Sequence, residues 1–311
     1  MRVPFVSRYD RPGADRWIAL LNAELSGAVV VHEDDLGEGD VAAARVAVVA
    51  GPRPEQVARF PKLEWVSSTW AGVGELIRGL PPRVGIARLV DPNLTARMAE
   101  AVLTAVLLLH RELPSYRRQQ AARQWRQHDY TWPRERTVGI LGLGELGRAA
   151  AAALVPHGFR VVGWSRSAKE LPGVESRTGE AGLDAVLAEA DILVGLLPHT
   201  PATDRLLDAE RLARMKPGAS LVNFGRGSLI DEAALLQRLG REGIRDAVLD
   251  VYAAEPLPPE HPFWTHPRVT VLPHISALTE PASASRLVAA DLQRWLATGA
   301  LPPLVDRARG Y

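Results

Sequence analysis

Apolar residues in this chain gather into short, nearly unbroken runs, separated by stretches with helical spacing. In the first third, runs at 3–7, 28–32, 46–51, 65–68 and 84–89 are rich in Val, Ile and other apolar residues. Strands buried on both faces of a parallel sheet have this pattern. Segments 16–25 and 56–60 read as helices between them, which predicts a small α/β layer structure. A long helical segment over 95–124 carries Met98, Val102, Ala105, Leu109 and Leu113 at helical spacing, with Pro92 upstream and Asn93 or Thr95 as its cap. An aromatic, charged connector through Trp125, Tyr130 and Trp132 to Pro133 then reads as a crossing between domains.

From Thr137 the alternation restarts more strongly. Strands are expected at 137–141, 160–164, 192–197, 220–224, 247–251 and 269–272, and helices at 146–155, 183–189, 209–215 and 232–241. Strands joined by helices of this size build a doubly wound parallel sheet. A last helix, 280–298, precedes a short tail. No repeat with a period of 20–50 residues and no low-complexity segment interrupts the pattern.

Composition narrows the function classes. The length of 311 residues suggests two domains. Lys and Arg number 37 against 36 Asp and Glu, a formal net charge of +1. Without a basic surplus, neither a nucleic-acid nor a membrane partner is expected. Only Lys62, Lys169 and Lys216 are lysines, so the other 34 cations are arginines, and a single arginine needs positional support before it is read as functional. Cysteine is absent, which excludes disulfides, thiolate metal sites and cysteine nucleophiles. Charge enters the N-terminal segment too early for a secretory signal. The longest apolar stretch, 101–109, falls short of the ~18 residues a membrane span needs. The expectation is a soluble cytoplasmic protein. No HExxH-like spacing occurs, so no metal is expected.

The most specific local signal is Gly142-Leu143-Gly144-Glu145-Leu146-Gly147. It follows an expected strand and opens an alanine-rich helical stretch, the context a dinucleotide-binding fingerprint requires. Gly142 allows the tight turn, Gly144 lets the backbone approach a pyrophosphate, and Gly147 lets helix and strand pack closely. The helix N-terminus adds free N–H groups and positive partial charge. NAD-binding turns place an acidic residue ~20 positions on, for the ribose 2′-hydroxyl. Here the second strand ends in Trp164-Ser165-Arg166-Ser167, with Lys169 close behind. Hydroxyl and cationic groups suit a 2′-phosphate through charge-assisted hydrogen bonds, which points to NADP, with NAD possible as second choice.

Three further motifs sit at expected strand ends: Asn223-Phe224-Gly225-Arg226-Gly227, Leu249-Asp250-Val251-Tyr252 leading to Glu255-Pro256, and Pro273-His274. Ligands of open α/β sheets bind at carboxyl strand ends, so one cleft would collect Arg226, Glu255 and His274. A 2-oxo acid needs its carboxylate held, its carbonyl oxygen protonated and a hydride delivered to C2. Arginine presents two fixed donors to a carboxylate. Histidine donates a proton near neutral pH, and a neighbouring carboxylate orients it and raises its pKa. His32, His110, His157, His199, His261 and His266 lack such placement and read as structural.

Taken in order, the turn at 142–147, Leu196-Leu197-Pro198-His199-Thr200, 223–227, 249–256 and Pro273-His274 resemble the D-2-hydroxyacid dehydrogenase family over essentially the whole chain. Trp164-Ser165-Arg166, Glu255-Pro-Leu-Pro-Pro-Glu260 and the run from His266 to His274 resemble its glyoxylate/hydroxypyruvate reductase A-like subgroup. The resemblance implies an α/β protein of two Rossmann-like or flavodoxin-like parallel-sheet domains with a cleft between them. Residues 1–94 plus 283–311 would form the substrate domain. Residues 95–282 would form the dinucleotide-binding domain, inserted between hinge helices. It implies Arg226 as substrate holder, Glu255 as partner of the histidine, His274 as acid/base, and Asp250 as a contact of the nicotinamide amide. Cofactor contacts would run through Gly142, Gly144, Glu145, Leu146, Gly147, Trp164, Ser165, Arg166, Ser167, Lys169, Leu197 and Pro198. The family's substrate loop matches Trp70, Ala71, Gly72 and Val73, where the Gly72 and Val73 amides would bind the carboxylate. Trp70 is bulkier than that loop leads one to expect, and Arg88 matches a subgroup position near substrate. A homodimer, with 117–132 as a projecting arm, is also implied.

The resulting expectation is an NADP-preferring enzyme that reduces a small 2-oxo acid, such as glyoxylate or hydroxypyruvate, to the D-2-hydroxy acid. The alternatives are a non-catalytic, dinucleotide-sensing binding module and a phosphoglycerate- or formate-type dehydrogenase of the same family.

Overall fold

The computed structural model describes residues 1–240 and 243–310. Arg241, where an expected helix ends, and Tyr311, the end of the expected C-terminal segment, lie outside the described residues. The chain forms two compact units, Met1–Leu94 with Thr279–Tyr311, and Thr95–Leu278.

The first unit holds five parallel strands, β1 (Arg2–Ser7), β2 (Val29–His32), β3 (Val46–Ala50), β4 (Trp65–Ser68) and β5 (Gly85–Ala87), in the order β2-β1-β3-β4-β5. All five residues of β3 are buried, as a central strand covered on both faces requires. The first helix, Arg11–Glu24, starts five residues before the expected 16. Asp10 caps it, accepting from the Gly13 N–H at 3.0 Å, and Pro12 sits in its first turn, so capping chemistry extends it beyond its apolar stripe. Its Ala14, Trp17 and Leu21 share one core with Ala284, Val288, Leu292 and Trp295 of the last helix, Pro281–Thr298. Trp65 meets Trp295 edge-on at 5.8 Å. The C-terminal tail is also tied down: the Val305 N–H donates to Ile86, and the Arg307 guanidinium donates to the carbonyls of Ile77, Leu80, Pro81 and Val84.

The second unit holds β6 (Thr137–Leu141), β7 (Arg160–Trp164), β8 (Val174–Arg177), β9 (Ile192–Gly195), β10 (Ser220–Asn223), β11 (Ala247–Leu249) and β12 (Val269–Val271), all parallel, in the order β12-β11-β10-β9-β6-β7-β8. Strand β8 was not expected. It is an edge strand whose Val-Glu-Ser-Arg carries no apolar run, because only β7 covers it and its residues stay partly exposed.

The single helix expected over 95–124 is two helices, Pro92–His110 and Leu113–Ala121. The break falls at Glu112, which takes a left-handed φ of 54° just before Pro114. Two partners hold the carboxylate there: Glu112 accepts from Arg245 at 2.5 Å and meets the His128 ring at 2.5 Å. Arg118 on the second helix pairs with Asp246 at 2.6 Å. The first helix begins at Pro92, and its cap is Asp91 rather than Asn93 or Thr95: Asp91 Oδ1 accepts from the Asn93 N–H at 2.9 Å. By length and composition alone this helix is apolar enough to cross a membrane. Met98, Val102, Ala105, Val106 and Leu109 instead pack into a core with Val138, Ile140 and Phe159.

Candidate active site

The glycine-rich turn leaves β6 at Gly142, whose φ of +107° is open to glycine. A β-carbon at Gly147 would lie 1.8 Å from the Gly142 carbonyl oxygen, so the helix Glu145–Leu154 can approach the strand only with glycine there. At Gly144, the N-cap of that helix, a β-carbon would meet nothing within 4 Å. Space therefore lies in front of an N-terminus whose cap has no side chain, and the amides of Gly144, Glu145 and Leu146 have no backbone acceptor among the described residues. This is the arrangement that takes a phosphate. The Gly142 N–H donates to the Trp164 carbonyl at 2.8 Å, tying the turn to the end of β7.

Beyond β7, the chain runs through Trp164, Ser165, Arg166, Ser167 and Lys169 without a carboxylate. The Ser165 hydroxyl donates to the Ser167 carbonyl at 2.7 Å and the Lys169 N–H to the Ser176 hydroxyl at 2.9 Å, which shapes the loop, while Trp164 anchors it by donating to Gly179. Arg166, Ser167 and Lys169 are exposed. Hydroxyls, an arginine and a lysine beside an open helix N-terminus fit a dinucleotide with a 2′-phosphate. Past the end of β9 follow the buried Leu197 and the partly buried Pro198.

Strand β10 ends in a turn built on Asn223. Its side chain accepts from the Gly225 N–H at 3.2 Å and donates to the Arg226 carbonyl at 2.9 Å. The Arg226 guanidinium donates to the Gly225 carbonyl at 2.6 Å. Gly227 is obligatory here, because a β-carbon would lie 1.9 Å from the Tyr252 carbonyl carbon. Burial lowers the Arg226 pKa and the Glu255 charge opposes that.

Glu255 Oε1 accepts from the Tyr252 N–H at 3.0 Å, and Oε2 meets His274 Nδ1 at 2.7 Å. The hydrogen bond to Glu255 raises the His274 pKa above the ordinary imidazole value, against the effect of burial. Burial pushes the Glu255 carboxyl up, but the bonds from His274 and the Tyr252 amide outweigh it and hold it below the usual range. His274 sits at a left-handed φ of 55°, a costly conformation for a residue with a side chain. Asp250, 2% exposed, braces the turn behind it: its two carboxylate oxygens accept from the Ile275 and Ser276 amides at 2.7 and 2.9 Å.

The second unit thus brings Arg226, Glu255 and His274 to the carboxyl ends of neighbouring strands, with Glu255 acting electrostatically on both others. The remaining candidates belong to the first unit. Trp70, Ala71, Gly72 and Val73 follow β4, and Arg88, partly buried, follows β5. The Gly72 and Val73 amides donate to no backbone carbonyl among the described residues. Among the described residues no cluster of His, Cys, Asp and Glu could hold a metal ion.

Two supporting residues escaped sequence reasoning. Asn223 shapes the Arg226 turn, and its Asn-x-Gly spacing is a legible turn signal. Tyr252 links the ends of β11 and β12, its hydroxyl accepting from the Leu272 N–H at 3.1 Å and lying 2.7 Å from the Leu249 carbonyl. No local signal marks the link it makes to β12, because Leu272 is 20 residues away.

The sequence model for "D-isomer specific 2-hydroxyacid dehydrogenase, NAD binding domain" matches residues 103–276. A glyoxylate/hydroxypyruvate reductase A from Serratia proteamaculans is 38% identical over 306 residues, 96% of each chain. Among solved structures, a D-isomer specific 2-hydroxyacid dehydrogenase from Xanthobacter autotrophicus Py2, in complex with NADPH and MES, superposes with a TM-score of 0.92 at 39% identity, covering 100% of this chain and 99% of the other. An NADPH-dependent glyoxylate/hydroxypyruvate reductase from Sinorhizobium meliloti, in complex with NADP and sulfate, gives 0.90 at 35% identity over 100% and 99%. With a family model covering more than half of the residues and relatives spanning nearly all of them, this chain belongs to the D-isomer specific 2-hydroxyacid dehydrogenase family.

Proposed function

We propose that the protein is an NADP-preferring reductase of glyoxylate, hydroxypyruvate or a similar small 2-oxo acid, forming the D-2-hydroxy acid. The observation that carries this reading is the 2.7 Å His274–Glu255 pair at the carboxyl edge of the sheet that also bears the glycine-rich turn. The second unit serves as the dinucleotide domain and the first as the substrate domain.

When bound, NADPH supplies the hydride that C2 of the substrate accepts. The amides at 144–146 would hold the pyrophosphate, and Ser165, Arg166, Ser167 and Lys169 would hold the 2′-phosphate. Trp164, Leu197 and Pro198 would line the rest of that site, and Asp250, which braces the turn behind His274, would contact the nicotinamide amide. In the second unit Arg226 is the proposed holder of the substrate carboxylate, and in the first unit the Gly72 and Val73 amides, with Ala71 and Arg88, are the groups proposed for the substrate. Because His274 Nδ1 is engaged by Glu255, Nε2 carries the proton delivered to the substrate oxygen as hydride reaches C2. Glu255 favours the protonated imidazole, and His274, whose side chain is half exposed, recovers its proton from solvent. The exposed Trp125, Tyr130 and Trp132 suit contact with a second copy of the chain in a homodimer. The proposed location is the cytoplasm.

The test is steady-state oxidation of NADPH and NADH with glyoxylate, hydroxypyruvate and phenylpyruvate. Turnover of the small acids with a lower KM for NADPH supports the reading; nucleotide binding without turnover on any 2-oxo acid overturns it.

A further inference from the structure

The first unit has the strand order in which a ligand crevice opens between β1 and β3, where the winding direction reverses. An aromatic side chain spans that place. Gly51, directly after β3, has a φ of +57°, and a β-carbon on it would lie 2.2 Å from Cη2 of Trp70. The indole therefore rests on bare backbone. Its Nε1–H donates to the hydroxyl of Tyr9, just beyond β1, at 3.3 Å. The backbone of Trp70 is held as firmly: its N–H donates to Ser68 Oγ at 3.0 Å, and its carbonyl accepts from Ser68 Oγ at 3.0 Å and from the Leu89 N–H at 3.2 Å. Its ring also packs against the core that contains Trp17 and Trp295. Swinging it aside would break the bond to Tyr9 and uncover Gly51, so it is a preorganised wall rather than an adaptable one.

Trp70 opens the loop proposed to hold the substrate carboxylate, two residues before Gly72. We infer that Trp70, braced on Gly51 and tied to Tyr9, limits the size of the substituent that a 2-oxo acid can carry at C2; this rests on the function proposed above. The carboxylate and carbonyl are common to all such substrates, so a rigid indole next to their anchor acts on the part that differs. Glyoxylate, with only hydrogen there, is insensitive to the wall by its chemistry, and a branched alkyl group is the most sensitive.

The experiment compares kcat/KM for 4-methyl-2-oxopentanoate with that for glyoxylate, NADPH being saturating. In the wild type the ratio is low. In Trp70→Ala it rises by about tenfold or more, mainly through KM of the branched acid, as removal of a steric wall demands. Trp70→Phe, which keeps an aromatic ring in the core, gives an intermediate rise and decides the matter should the alanine variant not fold. Tyr9→Phe, which only frees the indole, moves the ratio the same way by about two- to threefold, the scale of one hydrogen bond. An equal loss on both substrates, an unchanged ratio in Trp70→Phe and Trp70→Ala, or a fall in the ratio overturns the inference while glyoxylate turnover leaves the proposed function standing. A wild type that reduces neither acid overturns the proposed function, and this inference with it.

Discussion

In both units the first strand lies inside its sheet, β1 between β2 and β3 and β6 between β7 and β9, and each is followed by a turn into a helix. The two turns differ in what they place at the helix N-terminus. After β1 comes Arg8-Tyr9-Asp10, and the Asp10 carboxylate itself accepts from the Gly13 amide of the helix Arg11–Glu24. After β6 comes Gly142-Leu143-Gly144, and the cap of the helix Glu145–Leu154 has no side chain at all. The same dipole and the same orphan amides are satisfied from within in one unit and left for an incoming anion in the other. The first unit goes further and lays Trp70 over Gly51 at its own reversal point. Two parallel sheets thus differ in what their turns present: an open helix N-terminus in the second unit, and in the first a capped one with an indole laid over bare backbone.

The largest expected break is in the proton donor. His274→Ala should lower kcat about 10²- to 10⁴-fold with little change in NADPH binding, the usual contribution of a positioned acid, and turnover at wild-type rate would refute the assignment. Glu255→Gln should lower kcat less, and should move the decline of kcat/KM for reduction to lower pH. The sign follows from the pair. Glu255 holds the His274 pKa above 6.5, so the proton is present below that value and lost as pH rises through the raised one. The pair's contribution to stability runs the same way for His274, and for Glu255 it is lost as pH falls through that group's depressed pKa. A pH profile unmoved by Glu255→Gln would show that the carboxylate does not tune the histidine.

Arg166→Ala should raise KM for NADPH about tenfold while leaving KM for NADH within about twofold, the effect of one charge-assisted contact to a 2′-phosphate. Equal effects on both cofactors would remove that contact from the account. The smallest effects sharpen the contrast between the two turns. Gly144→Ala, entering open space at an ordinary φ, should leave the melting temperature unchanged and weaken NADPH binding. Asp10→Ala should do the opposite, costing about 1 kcal/mol of stability, a few degrees at most, with unchanged cofactor KM. Calorimetry and fluorescence titration of the two variants measure both quantities.

Much of this was legible along the chain. Strands such as β3 and β6 announce themselves because burial on both faces demands continuous apolar residues, and the glycines at 142, 144 and 147 because close backbone approach excludes side chains. Strand β8 was not legible, since its Val-Glu-Ser-Arg carries no apolar run. The break at Glu112 was hidden for a different reason. The apolar stripe continues to Leu113 and masks the stop that Pro114 imposes, and the Glu112 turn is held by a pair with Arg245, 133 residues away.

The candidate site divides along the same line. From local chemistry alone the sequence determined the dinucleotide turn, the basic loop without a carboxylate, and the types of Arg226, Glu255 and His274. Only the tertiary structure decided which of these act together. The Glu255–His274 bond, the bracing of that turn by Asp250 and the seating of Trp70 on Gly51 join residues on separate strands. Residue type and neighbouring glycines are written in order along a chain, whereas the distance between two strand ends is set by how the sheet is wound and packed.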